Sequence, residues 1–456
     1  MKKIAYFSPL NPIRSGISDY SEDLLPELSK VYDVEVYVEN GFQVENTNIK
    51  ENFVIREYAE FSKRYNDKQY SAILYHMGNN YSAHKEIYEF ILKYPGIVVL
   101  HDYSLHHFFA AKTLEQGNLD EYREEMLYCH GKEGLDEANR FLNGEISPIW
   151  ESNSLKYPLN LRILDNSAGI IVHSQFAKDL LREQASYVPI EVVPIPAPHI
   201  SKLEDIEREK EDARGELGIN RDDFVISALG YANPTKRIDK VISALSVIKS
   251  KQFIKKFKFY IVGEVPPSYP IQELVRKHKL ENEVVFIGYV NLKDFDKYIA
   301  ASDMCVNLRY PTQGENSASL LKIMGRGKPV ITTNIGSFSE FADDVVLKVN
   351  IGKDEISHLV EELVRIFRMD RSIISSKILE LTNNNHTIEI SCLKYSMFID
   401  DIVRGNKVNI NLGISSYLDR FTSIFDSIEN DTGKTVELNI SKIYKVFYKK
   451  TGDSYD

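Results

Sequence analysis

Short apolar strands alternate with helical patterns in two separate runs along this chain, and three prolines stand between the runs. The first run reads IAYFS (4–8), DVEVYV (33–38), AILYH (72–76), GIVVLHD (96–102), AGIIVHS (168–174) and EVVPIP (191–196). The second reads FVISALG (224–230), FYIVGE (259–264), EVVFIGYV (283–290), MCVNL (304–308), PVITT (329–333) and VVLKV (345–349). Strands regularly interleaved with helices mark parallel α/β units. Pro194, Pro196 and Pro198 cannot continue a sheet or a helix, so the segment between the runs is a stiff connector. The pattern predicts two doubly wound domains facing a cleft, residues 1–197 and 198–403. A tail, 404–456, follows, and 456 residues suffice for two full cores plus such an appendage. In the tail, GISSYLDRFTSIFDSI and SKIYKVFYKK are amphipathic at helical spacing and are expected to pack on the body as helices, with binding to a membrane or partner the alternative.

The segment from Arg309 to Phe341 carries the most chemistry. It reads as strand end, polar loop, helix, strand, short loop and helix. Ser317 or a neighbour caps a helix running to about Arg326, Gly327 closes it, and 329–333 is the next strand. A helix start facing the carboxyl ends of parallel strands presents free amides and partial positive charge, which suit phosphate. Glu315 in the same loop would repel phosphate. Its presence makes sense beside something neutral and rich in hydroxyls, and the combination points to a sugar nucleotide.

This segment resembles the donor-binding signature of the retaining glycosyltransferases of GT-B fold, of the family 4 or group 1 type, in the variant of polysaccharide-assembly members. Met324, Gly327, Pro329, Val330 and Ile331 fit its frame, and Glu315 falls within one position of its first glutamate. Lys322 occupies the place of its second glutamate, the residue that holds the nucleotide ribose in that family. The resemblance extends more loosely over PIRSGISDY, VVLHD, IIVHS and VPIP, about residues 3–400 in all. It implies two Rossmann-like domains, the first for the acceptor and the second for the nucleotide sugar. Glu315 would be catalytic, with Asn316, Ser317, Ala318 and Lys322 in contact with substrate.

Other strand ends supply further candidates. In 9–21 the loop around Gly16 leads into a helix, a position open to an anionic or sugar ligand or to an ordinary βα turn; the resemblance favours contact with substrate. Lys236 and Arg237 stand at the start of a helix expected over Thr235–Lys249. Cations there oppose the helix dipole, which is sensible if a diphosphate arrives to be neutralised; a solvated basic turn is the bland alternative. In the family frame Lys236 matches a catalytic lysine, and Tyr231 replaces an earlier basic residue whose charge Arg237 would take over. His101 and Asp102 end a strand, with His106 and His107 close behind, where open α/β sheets bind ligands. The spacing matches no metal-ligand motif. His101 corresponds to a family histidine bordering the sugar, although such a residue is often only hydrogen-bonded structure. His76 and His173, also at strand ends, rank behind it. Gly288 and Tyr289 match the strand end whose backbone reads the nucleotide base.

Composition removes several other classes. The net charge, 56 − 66 = −10, argues against a general nucleic-acid binder. Cys129, Cys305 and Cys392 are far apart, which fits a reducing cytoplasm. No signal-peptide core and no spanning run is visible, so a cytoplasmic protein with at most peripheral contact at the inner membrane face is expected. No pyridoxal-lysine motif is present, and neither a metal nor another cofactor is expected. The expected activity is transfer of a sugar from a nucleoside diphosphate to a hydroxyl of a saccharide, lipid-linked or protein-linked acceptor, in assembly of cell-surface polysaccharide or glycoconjugate. Lys322 and Tyr231, which depart from the family frame, support a rival from another class: a non-catalytic GT-B binding or chaperone partner.

Overall fold

The computed structural model describes residues 1–405. Seven parallel strands form the first sheet: β1 (Lys2–Phe7), β2 (Tyr32–Val38), β3 (Val54–Glu57), β4 (Ala72–Met77), β5 (Gly96–Leu100), β6 (Ser167–Val172) and β7 (Ile190–Val192), in spatial order 3-2-1-4-5-6-7. Six parallel strands form the second: β8 (Phe224–Leu229), β9 (Phe257–Val262), β10 (Val284–Gly288), β11 (Met304–Asn307), β12 (Val330–Thr333) and β13 (Leu347–Val349), in order 10-9-8-11-12-13. This is the GT-B arrangement of two Rossmann-like units. All twelve expected strands are present. The thirteenth, β3, is a half-exposed edge strand of four residues, VIRE, too short and too polar to stand out.

Each sheet reverses its winding once, between β1 and β4 in the first and between β8 and β11 in the second. At such a reversal the loops leaving adjacent strands diverge and open a crevice at the carboxyl ends. In the second sheet those loops are Gly230–Arg237 and the stretch from Leu308 to Ser317. The flanking strands are fully buried, with Ile226, Met304 and Cys305 showing no exposed surface, so the crevice has a rigid floor.

Two local expectations are corrected. The helix expected from Thr235 begins later: Pro234–Lys236 form a short 3-10 turn, Arg237 adopts φ +51°, and the α-helix is Ile238–Lys251. Lys236 and Arg237 therefore stand before the helix and do not oppose its dipole from within the first turn. The final helix of the second run, Ile388–Val403, lies on the first domain although the connector reading placed it with the second. Tyr395, Phe398 and Ile399 are buried there; the Tyr395 hydroxyl is 2.9 Å from that of Tyr20, and Lys2 pairs with Asp400 at 3.0 Å. Its apolar face needs a partner, and the first domain supplies it across some 370 residues of sequence, a choice no local pattern encodes. The tail pieces beyond residue 405 lie outside the described residues.

Candidate active site

The donor-side crevice is built from the β8 and β11 loops. Gly230 follows β8 with φ +87°, and a Cβ there would fall 2.6 Å from the Lys236 ammonium, so glycine makes room for the lysine to fold back. Lys236 donates to the Leu229 carbonyl. Burial, and next the Arg309 guanidinium, hold its ammonium well below the usual lysine range. Arg309 leaves β11 on the opposite side of the crevice. The two cations thus flank the winding reversal, the place where an arriving anion would meet both. Arg309 follows a buried strand directly, and that position could have marked it in the sequence.

Arg237 is not the second cation. Its guanidinium pairs with Glu355, whose side chain is buried, and lies 5.3 Å from the centre of the Tyr310 ring. Its charge is already matched inside the second domain. Arg237 is thus paired within the second domain, and Arg309 is the arginine whose charge acts on Lys236.

Glu315 sits in the β11 loop but does not stand bare. One carboxylate oxygen is 3.2 Å from Arg309 Nε. The other accepts from Thr312 Oγ1 at 2.9 Å and from the Gln313 amide at 2.6 Å, while Ser337 Oγ donates to the Glu315 carbonyl at 2.7 Å. The repulsion on which the sugar argument rested is thus largely offset by Arg309 before any ligand arrives. Asn316 follows, and Ser317 caps the Ala318–Gly325 helix by accepting from the Leu320 amide; Asn307 fixes the cap at 2.9 Å. The amides of the first helical turn have no acceptor within their own helix and lie at the crevice. Lys322, one turn on, has its ammonium 5.7 Å from the Phe295 ring; burial pushes the carboxyl groups of Asp19 and Asp23 on the first domain up, and the Lys322 ammonium opposes the rise. Burial nevertheless leaves Asp23 up at about 6. Gly288 ends β10, and exposed Tyr289 meets the Arg14 guanidinium of the first domain at 4.5 Å. Gly16 is exposed in the first turn of the Gly16–Leu28 helix, whose N-cap is Ser15.

On the first-domain wall, three histidines form a chain. His173 Nδ1 is 2.8 Å from the Val193 carbonyl, His173 Nε2 is 3.1 Å from His101 Nδ1, and His101 Nε2 is 3.0 Å from His76 Nδ1. A carbonyl can only accept, so His173 Nδ1 carries the proton, and with neutral rings each next Nδ1 must donate in turn. Burial keeps all three neutral, pushing His173 down to about 4 and the other two well below their usual range. Both nitrogens of His101 are therefore hydrogen-bonded to the neighbouring histidines. His106 turns into the core, bonded to the Tyr157 carbonyl and the Tyr122 hydroxyl at 2.7 Å each, so the four polar groups after β5 do not converge. Among the described residues no group of three or more His, Cys, Asp or Glu is placed to hold a metal ion. Asp102, next to His101 at the end of its strand, accepts from the Asn79 amide at 2.8 Å. Burial brings it up to about 6, Glu315 adds to the rise and Arg309 opposes it, so the two walls sense each other's charge here.

Residues 209–375 match the family described as Glycosyl transferases group 1. The match lies in the second domain, over somewhat more than a third of the chain, and the fold around it is GT-B. A Bacillus subtilis (strain 168) protein named uncharacterized glycosyltransferase YqgM is 21% identical over 181 residues, which are 40% of this chain and 46% of that relative, about half its length. Among solved structures, sucrose-phosphate synthase from Thermosynechococcus elongatus superposes with a TM-score of 0.60 at 15% identity, over 89% of this chain and 100% of that one. Anabaena Alr3699/HepE in complex with UDP and glucose superposes with a TM-score of 0.57 at 16% identity, over 88% and 100%. At these identities the likeness is one of fold. No helix among the described residues is long and apolar enough to cross a membrane.

Proposed function

We propose that this protein is a retaining glycosyltransferase that moves a sugar from a nucleoside diphosphate to a hydroxyl acceptor, in the assembly of a cell-surface polysaccharide or glycoconjugate. The observation that carries the reading is the pair Lys236 and Arg309 on either side of the second sheet's winding reversal, with the Ala318 helix start beside them. As the bond to the anomeric carbon breaks, negative charge develops on the leaving diphosphate oxygen. The Arg309 guanidinium, the helix-start amides and the Lys236 ammonium, once a diphosphate favours its charge, stabilise that oxygen. These groups supply the electrophilic assistance from the protein itself, and the reading needs no metal. It also names no covalent nucleophile and takes attack from the leaving-group face as the route to retention. The UDP and UDP-glucose held by the Anabaena relative support a uridine donor.

Thermal-shift screening against UDP-, GDP- and dTDP-sugars tests donor binding, with about 2.7 kcal/mol of stabilisation expected at 100 times the dissociation constant. Release of nucleoside diphosphate with acceptor, and the anomeric configuration of the product by NMR, test turnover and retention. Tight nucleotide-sugar binding with no turnover on any acceptor would select the non-catalytic partner instead.

A further inference from the structure

Glu340 belongs to the second domain, yet its side-chain hydrogen bonds among the described residues all cross to the first. Its carboxylate accepts from the Gln175 amide at 3.2 Å and from the Phe176 amide at 2.5 Å, the first two amides of the Gln175–Gln184 helix. The helix's own cap, Ser174, accepts from the third, Ala177, at 3.2 Å. A helix start leaves its early amides without intrahelical acceptors. Here the local cap and a carboxylate from the other domain divide them between themselves.

The contact closes a circuit. At the far end of the same helix Gln184 donates to the Tyr103 hydroxyl. Tyr103 packs on Gly314, where φ is +72° and a Cβ would fall 2.5 Å from Tyr103 Cβ. The Ser104 amide donates to the Gln313 carbonyl at 2.9 Å, and Gln313 Nε2 to the Trp150 carbonyl at 3.0 Å. Gln313 and Gly314 lead directly into Glu315, whose carbonyl is held by Ser337, three residues before Glu340. The donor-side loop is therefore gripped at both ends by elements that depend on the first domain.

We propose that Glu340 is a positioning residue for transfer: by capping the Gln175–Gln184 helix across the cleft it holds the domains together and fixes the loop of Arg309, Gln313 and Glu315 against the acceptor wall. The role in turnover rests on the glycosyltransferase reading, whereas the closure it describes stands on the geometry alone.

The test uses the full chain, with Glu340→Ala, Glu340→Gln and, as a control for lost surface charge, Glu361→Ala. UDP affinity is measured by calorimetry, kcat and KM with UDP-glucose, and the radius of gyration by X-ray scattering with and without UDP. Loss of a helix cap corresponds to roughly five- to ten-fold in an equilibrium constant. Glu340→Ala should therefore lower kcat by about that factor and enlarge the radius of gyration, leaving UDP affinity close to wild type. Glu340→Gln keeps one acceptor oxygen and should show a smaller loss; it also serves if the alanine variant fails to fold. Wild-type scattering and kcat in both variants would overturn the proposal, and so would a loss of kcat with unchanged scattering. If the wild-type protein transfers from no nucleotide sugar, the glycosyltransferase reading fails, and the scattering comparison still decides the closure.

Discussion

Replacing Lys236 by methionine removes one ammonium from the crevice and keeps most of the side chain's bulk. Lys236 is held below its ordinary range by burial and by Arg309, so in the free protein its charge is unfavourable. A diphosphate reverses this. One unit of negative charge about 4 Å away is worth roughly 4 kcal/mol at an effective dielectric of about 20, or roughly three pKa units. Part of that free energy is used in charging the lysine, leaving a net contribution of about 2 kcal/mol, comparable to a hydrogen bond with a charged partner and near 30-fold in affinity. In the transition state, where the leaving oxygen gains charge, the loss should be about 100- to 1,000-fold in rate. Because burial holds Lys236 below its ordinary range, UDP binding should raise its proton occupancy, by at most one proton. Titration calorimetry in buffers of different ionisation enthalpy reads that uptake directly, and it should vanish in Lys236→Met. Wild-type rate and affinity in the variant, or a wild-type binding enthalpy independent of buffer, would refute the assignment. So would a collapse of thermal stability matching the loss of activity, since Lys236 would then be only a donor to the Leu229 carbonyl.

Glu315→Gln should free Arg309 and leave UDP binding unchanged or tighter, while weakening the intact sugar nucleotide by about 10-fold; paired titrations decide it, and equal weakening of both ligands would make Glu315 a loop-shaping residue only. Arg237→Ala should destabilise the fold by about 3–5 kcal/mol, because it strands the buried Glu355 carboxylate, and adding Glu355→Gln should recover part of the loss in denaturant melts. His173 and His84 are both held down to about 4 by burial, so each contributes stability that is present above about pH 6.5 and lost as pH falls toward 4. At pH 5.5 the loss should be roughly 1.4 kcal/mol for each, and melts at pH 7 and 5.5 should show a smaller acid shift in His84→Asn. Transfer activity should survive EDTA, and complete loss restored by a divalent ion would contradict the protein-only stabilisation of the leaving group.

Periodicity and punctuation determined a large part of this protein. Apolar runs such as Phe224–Leu229 and Met304–Asn307, prolines at 194, 196 and 198, and Ser317 before a helix are local signals, and each stands where the residues placed it. Strand ends in a parallel sheet share one edge, so sequence alone could also bring Lys236, His101 and Glu315 to the facing rims of two sheets. Pairings across long separations lay beyond it. Arg237 and Lys236 are adjacent and equally basic, yet one is matched by Glu355, 118 residues away, and the other faces the crevice with Arg309. By sequence His101 could border a sugar or be hydrogen-bonded structure; β4 and β6 set His76 and His173 on its two nitrogens. Glu340 looked like any exposed glutamate until the other domain offered it two helix amides. The chain's local code specifies which backbone groups and charges stand at an edge; which partner each one meets depends on how separately folded layers come together, and only the tertiary structure decides that.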